Sequence, residues 1–174
     1  MSDHPESTPR TTLVGVLSDT HGRLPYTAIE ALAGCDCLIH AGDIGGPAVL
    51  RKLTALAPVY AVLGNNDLDE YGPEVCRIIH PVIDNVRFLV AHYPQDVHIG
   101  FNGGPGIAPG DPIPQVCVHG HTHVPEIVTG KDARPAQYVL CPGAVFRPRN
   151  GSRPSVAKVT LSGGRILDVW IEEI

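Results

Sequence analysis

The stretch that decides the fold is LVGVLSDTHG, residues 13–22. The apolar run at 13–17 has the length and branched side chains of a buried β-strand. Asp19 and His21 follow it directly, and a helix is expected next, with Pro25 in its first turn and Gly34 near its C-terminal end. The segment predicts a strand, a polar loop and a helix.

The same order recurs along the next fifty residues or so. Apolar runs at 37–40 and 59–63 predict two more strands, and Asp43 and Asn65 stand just after them. Between the two runs, Pro47 opens a segment with apolar residues at helical spacing. Repeated strand, loop and helix units imply neighbouring parallel strands with right-handed crossovers.

The second half of the chain favours a mixed or antiparallel sheet. Strands are predicted at residues 77–79, 86–91, 116–118, 138–140, 155–161 and 166–171. Two packed sheets with helices outside form the economical α/β arrangement. Residues 93–115 are rich in glycine and proline and predict a long loop, which in a compact domain is usually a lid, a binding loop or a mobile segment.

Length and charge limit the classes of protein to consider. The 174 residues predict a disordered polar tail at 1–11 and a single domain at 12–174. A net charge of -5 without a Lys/Arg-rich stretch argues against an extended nucleic acid as partner. The start lacks an apolar signal core, and no apolar run reaches the roughly 18 residues of a membrane span, so we expect a cytoplasmic protein.

The five cysteines are odd in number, form no C-x-x-C pair and lie mostly inside apolar runs. This pattern predicts reduced, buried thiols, as found in a cytoplasm, and disfavours a disulfide framework or a thiolate zinc site.

Residues able to bind metal follow five of the predicted strands. In open α/β sheets, ligands bind outside the carboxyl ends of the strands, so residues distant in sequence can share one crevice. The fold itself would therefore assemble the site. The candidate metal ligands are Asp19, His21, Asp43, Asn65, His92, His121 and His123.

Several of these motifs have a second interpretation when taken alone. Asp19 and His21 also fit a turn-forming aspartate beside a solvated histidine. Asp43, among glycines, and Asn65, in GNND, also fit ordinary turns. His92 also fits a hydrogen-bonded structural residue, and only its place beside the other strand exits favours a ligand.

The stretch HGHTH, residues 119–123, is more specific. Three imidazoles after a buried strand are hard to explain by packing, and neutral imidazole binds zinc, manganese and iron well. We expect His121 and His123 to bind metal; Gly120 can break the alternation, so His119 need not be a ligand. His40, inside an apolar strand, is expected to be either a hydrogen-bonded core residue or a residue that contacts a metal ligand, and not a ligand itself.

Together, these motifs resemble those of the calcineurin-like metallophosphoesterases, in particular their compact bacterial and archaeal phosphodiesterase branch. The resemblance covers roughly residues 12–173 and keeps the motifs in order. They are DTHG (19–22), GD (42–43), GNND (64–67), His92 and GHTH (120–123), followed by PGA (142–144) and RPR (147–149).

The resemblance implies a four-layer α/β/β/α sandwich of two mixed sheets with two divalent metal ions. By similarity, the first ion is held by Asp19, His21, Asp43 and His123, and the second by Asp43, Asn65, His92 and His121. Asp43 would bridge the two. The mixed oxygen and nitrogen ligands suit manganese, iron or zinc better than calcium; we expect manganese, with iron, zinc, nickel or magnesium as alternatives.

The implied activity is hydrolysis of a small phosphoester, most simply a phosphodiester, by attack of a metal-bridging hydroxide. Asp43, Asn65 and His92 would act through that hydroxide. No membrane partner is expected, and a homo-oligomer is compatible with the sequence.

The chain departs from the family pattern in two places. Asn66 stands where relatives have a histidine or cysteine; it can contact a phosphate oxygen but cannot usefully protonate a leaving group, which favours acidic leaving groups. Asp67 is expected to orient a neighbouring ligand. The loop at 93–115 replaces a helix of related proteins, and we hypothesise that it borders the phosphate crevice.

A second hypothesis is a catalytically weak metal-binding scaffold for protein–protein interaction. A eukaryotic retromer subunit of similar fold binds partners and has an incomplete metal site. Here every ligand position is filled, and a binding surface alone does not need that, so the enzyme is favoured.

Overall fold

The computed structural model describes residues 10–100 and 102–174. The predicted tail at 1–11 lies outside the described residues apart from its last two positions. No helix in the described part of the chain is long and apolar enough to cross a membrane.

Strands dominate the described structure, and the two α-helices both fall in the first third of the chain. In chain order the elements are β1 (Thr12–Leu17), α1 (Tyr26–Leu32), β2 (Cys37–His40), α2 (Pro47–Thr54), β3 (Val59–Ala61), β4 (Ile78–Ile79), β5 (Val82–Ile83), β6 (Val86–Ala91), β7 (Val116–Val118), β8 (Pro125–Thr129), β9 (Tyr138–Pro142), β10 (Ser155–Ser162) and β11 (Arg165–Glu173), with 3-10 helices at Pro94–Val97 and Gly130–Asp132.

The strands form two mixed sheets, which confirms the predicted α/β fold class. The first has the order β11-β10-β1-β2-β3, in which β1, β2 and β3 are parallel. The second has the order β4-β6-β7-β9-β8, in which β6, β7 and β9 are parallel and β5 also pairs with β6. In the first sheet the antiparallel strands β10 and β11 lie on one side and the parallel strand β3 forms the other edge, whereas in the second sheet antiparallel strands flank the parallel ones on both sides.

Local sequence predicted most of the strands. The runs at 37–40, 86–91 and 116–118 match β2, β6 and β7 residue for residue. Two strands were not predicted: β5 has only two residues, and β8 begins with Pro125 at the edge of its sheet, where proline is tolerated because no neighbour needs its missing N–H.

Three apolar clusters separate four layers. The cluster between the sheets includes Val14 and Ile39 from the first sheet and Phe88 and Val118 from the second. A second cluster lies under α1 and α2 on the outer face of the first sheet and includes Leu53. Burial of these side chains supplies the main driving force for packing the layers.

The fourth layer is a loop with a short 3-10 helix. The outer face of the second sheet, including Leu89 and Cys117, is covered by Val97, Ile99 and Ile107. These three residues belong to the glycine- and proline-rich segment that the sequence predicted as a loop.

The cysteines follow the prediction with one exception. Cys35, Cys37, Cys117 and Cys141 are buried free thiols. Cys76 is also free but exposed, so the prediction of burial is wrong for this residue. It lies just before β4, outside the apolar runs.

Candidate metal centre

The structure brings the seven candidate ligands to one edge of the sandwich, beyond the carboxyl ends of β1, β2, β3, β6 and β7. Left-handed backbone is uncommon for residues other than glycine because it is strained. Such strained residues are often found at functional sites. In this site left-handed backbone turns the chain sharply after three of the five strands, β1, β2 and β7. The affected ligands are Asp19, His21, Asp43, His121 and His123, with φ between 46° and 67°.

One group of donors consists of Asp19, His21 and His123. Asp19 is fully buried, and its Oδ1 lies 3.0 Å from His123 Nε2 and 3.9 Å from His21 Nε2. The two Nε2 atoms are 3.4 Å apart. Three donor atoms therefore converge on a space of the size of a bound ion.

A second group is formed around Asn65, Asp43, His92 and His121. Asn65 Oδ1 lies 3.1 Å from His92 Nε2 and 3.0 Å from His121 Nδ1. Asp43 Oδ2 is 3.5 Å from His92 Nε2. Asn65 is the exposed member, so this group opens toward solvent.

Asp43 lies between the two groups. Its Oδ2 is 3.7 Å from His21 Nε2 and 3.5 Å from His92 Nε2. A carboxylate in this position is suited to the bridging role that the family resemblance implies.

In His123 and His92, one ring nitrogen is hydrogen-bonded to a backbone carbonyl and the other ring nitrogen faces a side-chain oxygen. His123 Nδ1 is 2.7 Å from the Arg147 carbonyl and His92 Nδ1 is 2.8 Å from the Ala41 carbonyl. A carbonyl oxygen only accepts, so each Nδ1 carries a proton, and Nε2 of the neutral ring is an acceptor. These Nε2 atoms face Asp19 Oδ1 and Asn65 Oδ1.

Two hydrogen-bond acceptors at this distance repel each other unless a cation lies between them. Asp19 Oδ1 is buried and has no hydrogen-bond partner among the described residues, although His123 Nε2 is 3.0 Å away. Metal-binding histidines typically donate their second N–H to a carbonyl or carboxylate in this way. The residues present therefore fit a divalent cation.

The two aspartates differ in electrostatic character. Burial raises the pKa of Asp19 above its ordinary value. Burial also acts to raise the pKa of Asp43, but hydrogen bonds with His92 and Asn66 outweigh it and hold that pKa well below the usual range. Burial acts to lower the pKa of His92, yet its contacts with Asp43 and the Ala41 carbonyl raise it above the ordinary value.

Asp67 joins the loop after β2 to the loop after β3. Its carboxylate accepts hydrogen bonds from the backbone N–H groups of Gly64 (2.8 Å), Ile44 (3.0 Å) and Gly45 (2.9 Å) and from the Tyr71 hydroxyl (2.9 Å). This agrees with the expectation that Asp67 orients a neighbouring ligand. The contribution of Tyr71, which also accepts from Gly46 N–H, had no local sequence signal.

His40 joins the loop after β1 to the loop after β2. Its Nδ1 accepts from the Gly42 N–H (3.2 Å), so its Nε2 donates to Thr20 Oγ1 (2.9 Å), which in turn donates to the Ile44 carbonyl (2.8 Å). Complete burial lowers the pKa of His40 to about 4. A neutral imidazole therefore supports the site from the core, outside both donor groups.

Two glycines allow the close approach of the ligand loops. A Cβ atom at Gly64 would overlap the Asp43 carboxylate, and one at Gly120 would overlap Ser18 Oγ and approach Asp19 Oδ2. Only glycine fits at either position without moving a candidate ligand.

Asn66 contacts Asp43 through both its backbone and its side chain. The N–H donates to Oδ1 (2.8 Å) and Nδ2 donates to Oδ2 (2.6 Å). Asn66 also lines a cavity of about 450 Å³ beside the donor groups, with His21, His123 and residues 147–149. Its contact with phosphate stays a prediction.

The loop at 93–115 contributes one side chain to the site. The Tyr93 ring packs against the rings of His121 and His92, with centroids 4.6 and 5.4 Å apart. Among the described residues of this loop, none lines the cavity beside Asn66. The loop covers the outer face of the second sheet, and its bordering of the phosphate crevice stays a prediction.

His119 remains apart from both donor groups. It is buried, and its Nδ1 lies 3.0 Å from the Gly120 carbonyl. The strand alternation does not continue through HGHTH, because His121 and His123 adopt left-handed backbone.

Comparison with known proteins agrees with this architecture. Residues 13–164 match the model of the calcineurin-like phosphoesterase superfamily domain. A protein of Methanothermobacter thermautotrophicus named "Probable metallophosphoesterase" is 32% identical over 167 residues, covering 88% of each chain. The chain therefore belongs to the calcineurin-like phosphoesterase superfamily.

Solved structures share the fold. YfcE, a phosphoesterase from E. coli, is 24% identical with a TM-score of 0.63, over 91% of this chain and 98% of that one. Wild-type Vps29 of Entamoeba histolytica, solved in complex with zinc, is 18% identical with a TM-score of 0.65, over 94% of this chain and 98% of that one. At these identities the likeness concerns the fold alone.

Proposed function

We propose that this chain is a two-metal phosphodiesterase. The observation that carries the proposal is the convergence of two groups of acceptor atoms on either side of Asp43, with Asp19 Oδ1 buried and lacking a hydrogen-bond donor among the described residues. Because the chain belongs to a phosphoesterase superfamily, we assign hydrolysis of a phosphoester to this arrangement.

The seven residues divide between two ions in this proposal. Asp19, His21, Asp43 and His123 would hold the first ion, and Asp43, Asn65, His92 and His121 the second. Two divalent ions in such positions supply a hydroxide at neutral pH and neutralise charge on the phosphoryl oxygens.

The chain's own residues prepare this chemistry. The Arg147 and Ala41 carbonyls fix the tautomers of His123 and His92, so that each ring presents its Nε2 lone pair. Asp67 fixes the relative positions of the two loops that carry Asp43 and Asn65. This preorganisation matters because small displacements at a reacting centre cost large factors in rate.

We propose manganese as the ion, since oxygen and imidazole donors are mixed here. The zinc-bound Vps29 of the same fold supports divalent ions in general and makes zinc the first alternative. Iron, nickel and magnesium follow.

The proposed substrates are small diesters with acidic leaving groups. Asn66 lines the cavity, but its amide is too weak an acid to protonate a leaving alcohol, and it donates to Asp43. The general-acid contribution of about 10²–10⁴-fold is therefore missing at this position, and a leaving group that needs no proton is favoured. The free thiols are compatible with the reducing cytoplasm that we propose as the compartment.

The test is to strip the purified protein of metal, reload it with Mn²⁺, count the bound ions by mass spectrometry and assay bis(4-nitrophenyl) phosphate. We expect two ions per chain and hydrolysis that depends on them. Two bound ions without cleavage of any aryl diester or monoester would overturn the proposal in favour of the metal-binding scaffold, which the fold shared with Vps29 supports.

A further inference from the structure

Two arginines line the cavity beside the candidate site, and a third contacts the same phenylalanine ring as one of them. Arg23, Arg147 and Arg149 are all exposed. Arg147 and Arg149, with Pro148 between them, form one wall of the 450 Å³ cavity whose other lining residues include His21 and His123. A molecule bound at these histidines would therefore have guanidinium groups within reach.

Hydrogen bonds tie this wall to the loop that carries His121 and His123. The Arg147 carbonyl accepts from His123 Nδ1 (2.7 Å), and the Arg149 N–H donates to the His123 carbonyl (3.2 Å). Arg149 Nη1 also lies 3.4 Å from the His121 carbonyl. The backbone of the arginine wall is thus held at a fixed distance from two candidate metal ligands.

An aromatic ring holds two of the guanidinium groups in place. The Cζ atoms of Arg23 and Arg147 lie 4.9 and 5.0 Å from the centroid of the Phe146 ring. Such cation–π contacts restrict the side chains while leaving their N–H groups free for another partner. The positive groups are therefore partly preorganised.

None of the three arginines has a carboxylate within 4.0 Å among the described residues, and the chain as a whole carries a net charge of -5. This positively charged cluster therefore contrasts with the negative charge of the chain as a whole. Guanidinium groups match the geometry of phosphate oxygens and bind them through paired hydrogen bonds. The described ion pairs of arginine and lysine lie elsewhere: Arg10–Asp36, Arg153–Glu173 and Lys158–Glu172.

We infer that Arg147 and Arg149 bind a second phosphate group of the substrate, beside the phosphoryl group held at the metal centre. The substrate class is a small phosphoester that carries another phosphate, such as a nucleoside bisphosphate derivative. This inference rests on the proposed function for the identity of the first subsite.

The test is calorimetric titration of the Mn²⁺-loaded protein with thymidine 5′-monophosphate and with thymidine 3′,5′-bisphosphate. Either phosphate of the second ligand can occupy the metal centre, so the orientation of the nucleoside does not matter. We expect the bisphosphate to bind about tenfold more tightly, which corresponds to about 1.4 kcal/mol. Raising the salt concentration should reduce this preference.

Substitutions of the two arginines test whether they cause the preference for the bisphosphate. Arg149→Ala and Arg147→Asn should each reduce the ratio of the two dissociation constants, and the double variant should bring it close to one. Asparagine is used at position 147 because the φ of 59° there suits asparagine better than alanine. Arg149→Lys should keep part of the preference, since it retains the charge.

Arg165→Ala is the matched control. It removes the same charge at the start of β11, near the end of the first sheet where Thr12 pairs with Leu161, away from the metal centre. We expect it to leave both dissociation constants unchanged. A merely structural effect of the rim variants would weaken both ligands in parallel and leave the ratio intact.

Equal affinity of the wild-type protein for the two nucleotides would overturn the inference, as would a preference that survives in the double variant. Failure of the proposed function has a different signature, because the protein would then cleave no diester whatever its nucleotide preference. A variant-sensitive preference without hydrolysis would assign the arginine wall to a phosphate-binding protein.

Discussion

The two sheets build their halves of the metal centre under different outer layers. The first sheet lies under two α-helices, whereas the second lies under a loop with a short 3-10 helix. Both nevertheless deliver their candidate ligands from the carboxyl ends of parallel strands. The strand ends position this site, and the covering layer is free to vary.

The halves also differ in the donors that they supply. The first sheet provides all three oxygen donors, from Asp19, Asp43 and Asn65, whereas the second provides only imidazoles. The Ala41 carbonyl of the first half also fixes the ring of His92 in the second. Neither sheet has a complete site, so the apolar cluster between them is a condition for metal binding.

The comparison predicts that one ligand from each half is indispensable. Asp43→Ala and His92→Ala should each lower kcat/KM for an aryl diester by more than about 100-fold, because loss of a residue that merely supports a metal ligand already costs about 10–100-fold. The double variant should be little worse than either single variant, since ligands of one centre act as a unit. Strictly additive losses, or a variant that keeps both ions and full activity, would break the comparison.

Asp67→Asn is the next largest expected effect. The neutral amide weakens the hydrogen bonds from Gly64, Ile44 and Gly45, so the two loops of the first half should lose their fixed spacing. We expect metal affinity, measured by competition with a chelator, to fall about 10–100-fold.

Asp69→Asn provides the matched control for Asp67, since it makes the same chemical change at an exposed position two residues away. It should leave metal affinity unchanged. Equal losses in both variants would show that overall charge, and not the hydrogen bonds of Asp67, determines affinity.

The two outer layers can be compared by truncating one buried residue in each. Leu53→Ala on the buried face of α2 and Ile99→Ala in the loop should each lower the free energy of unfolding by about 2–5 kcal/mol, because both side chains are buried. Denaturant unfolding measures this loss. Neither variant should change kcat/KM of the folded protein; a kinetic effect of Ile99→Ala alone would support a role of the loop in substrate access.

The smallest effect concerns thiol reactivity. Cys76 should react rapidly with a disulfide reagent at pH 8, because it is exposed. The thiols of the two sheets should react only on unfolding: burial raises the pKa of Cys37 to about 11 and of Cys117 to about 12, so little of the reactive thiolate exists. Rapid reaction of Cys117 in the native protein would show that the loop opens more readily than the helices.

Local sequence was sufficient to predict most strands and the seven candidate ligands. Each ligand follows an apolar run, as Asp43 follows the run at 37–40, and that relation needs only nearby residues. The grouping of the ligands then follows from a general property of parallel strands. The mixed-sheet fold could be predicted because the apolar runs and the polar residues after them alternate along the chain.

Features that depend on distant partners could not be predicted. No local pattern indicates that the Arg147 carbonyl fixes His123, or that Tyr71 supports Asp67. The loop at 93–115 was recognised from its glycines and prolines, but its packing on Leu89 depends on which sheet face lacks a helix. The two-residue strand β5 is too short to show an alternation of apolar and polar residues.

The left-handed backbone of the ligands makes the centre costly to maintain. Asp19, His21, Asp43, His121 and His123 all adopt it, at about 1 kcal/mol each, against a typical total stability of about 5–15 kcal/mol. Glycine at any of them would relieve that cost while deleting a donor. A lineage freed from the need for metal would therefore gain stability by losing these side chains.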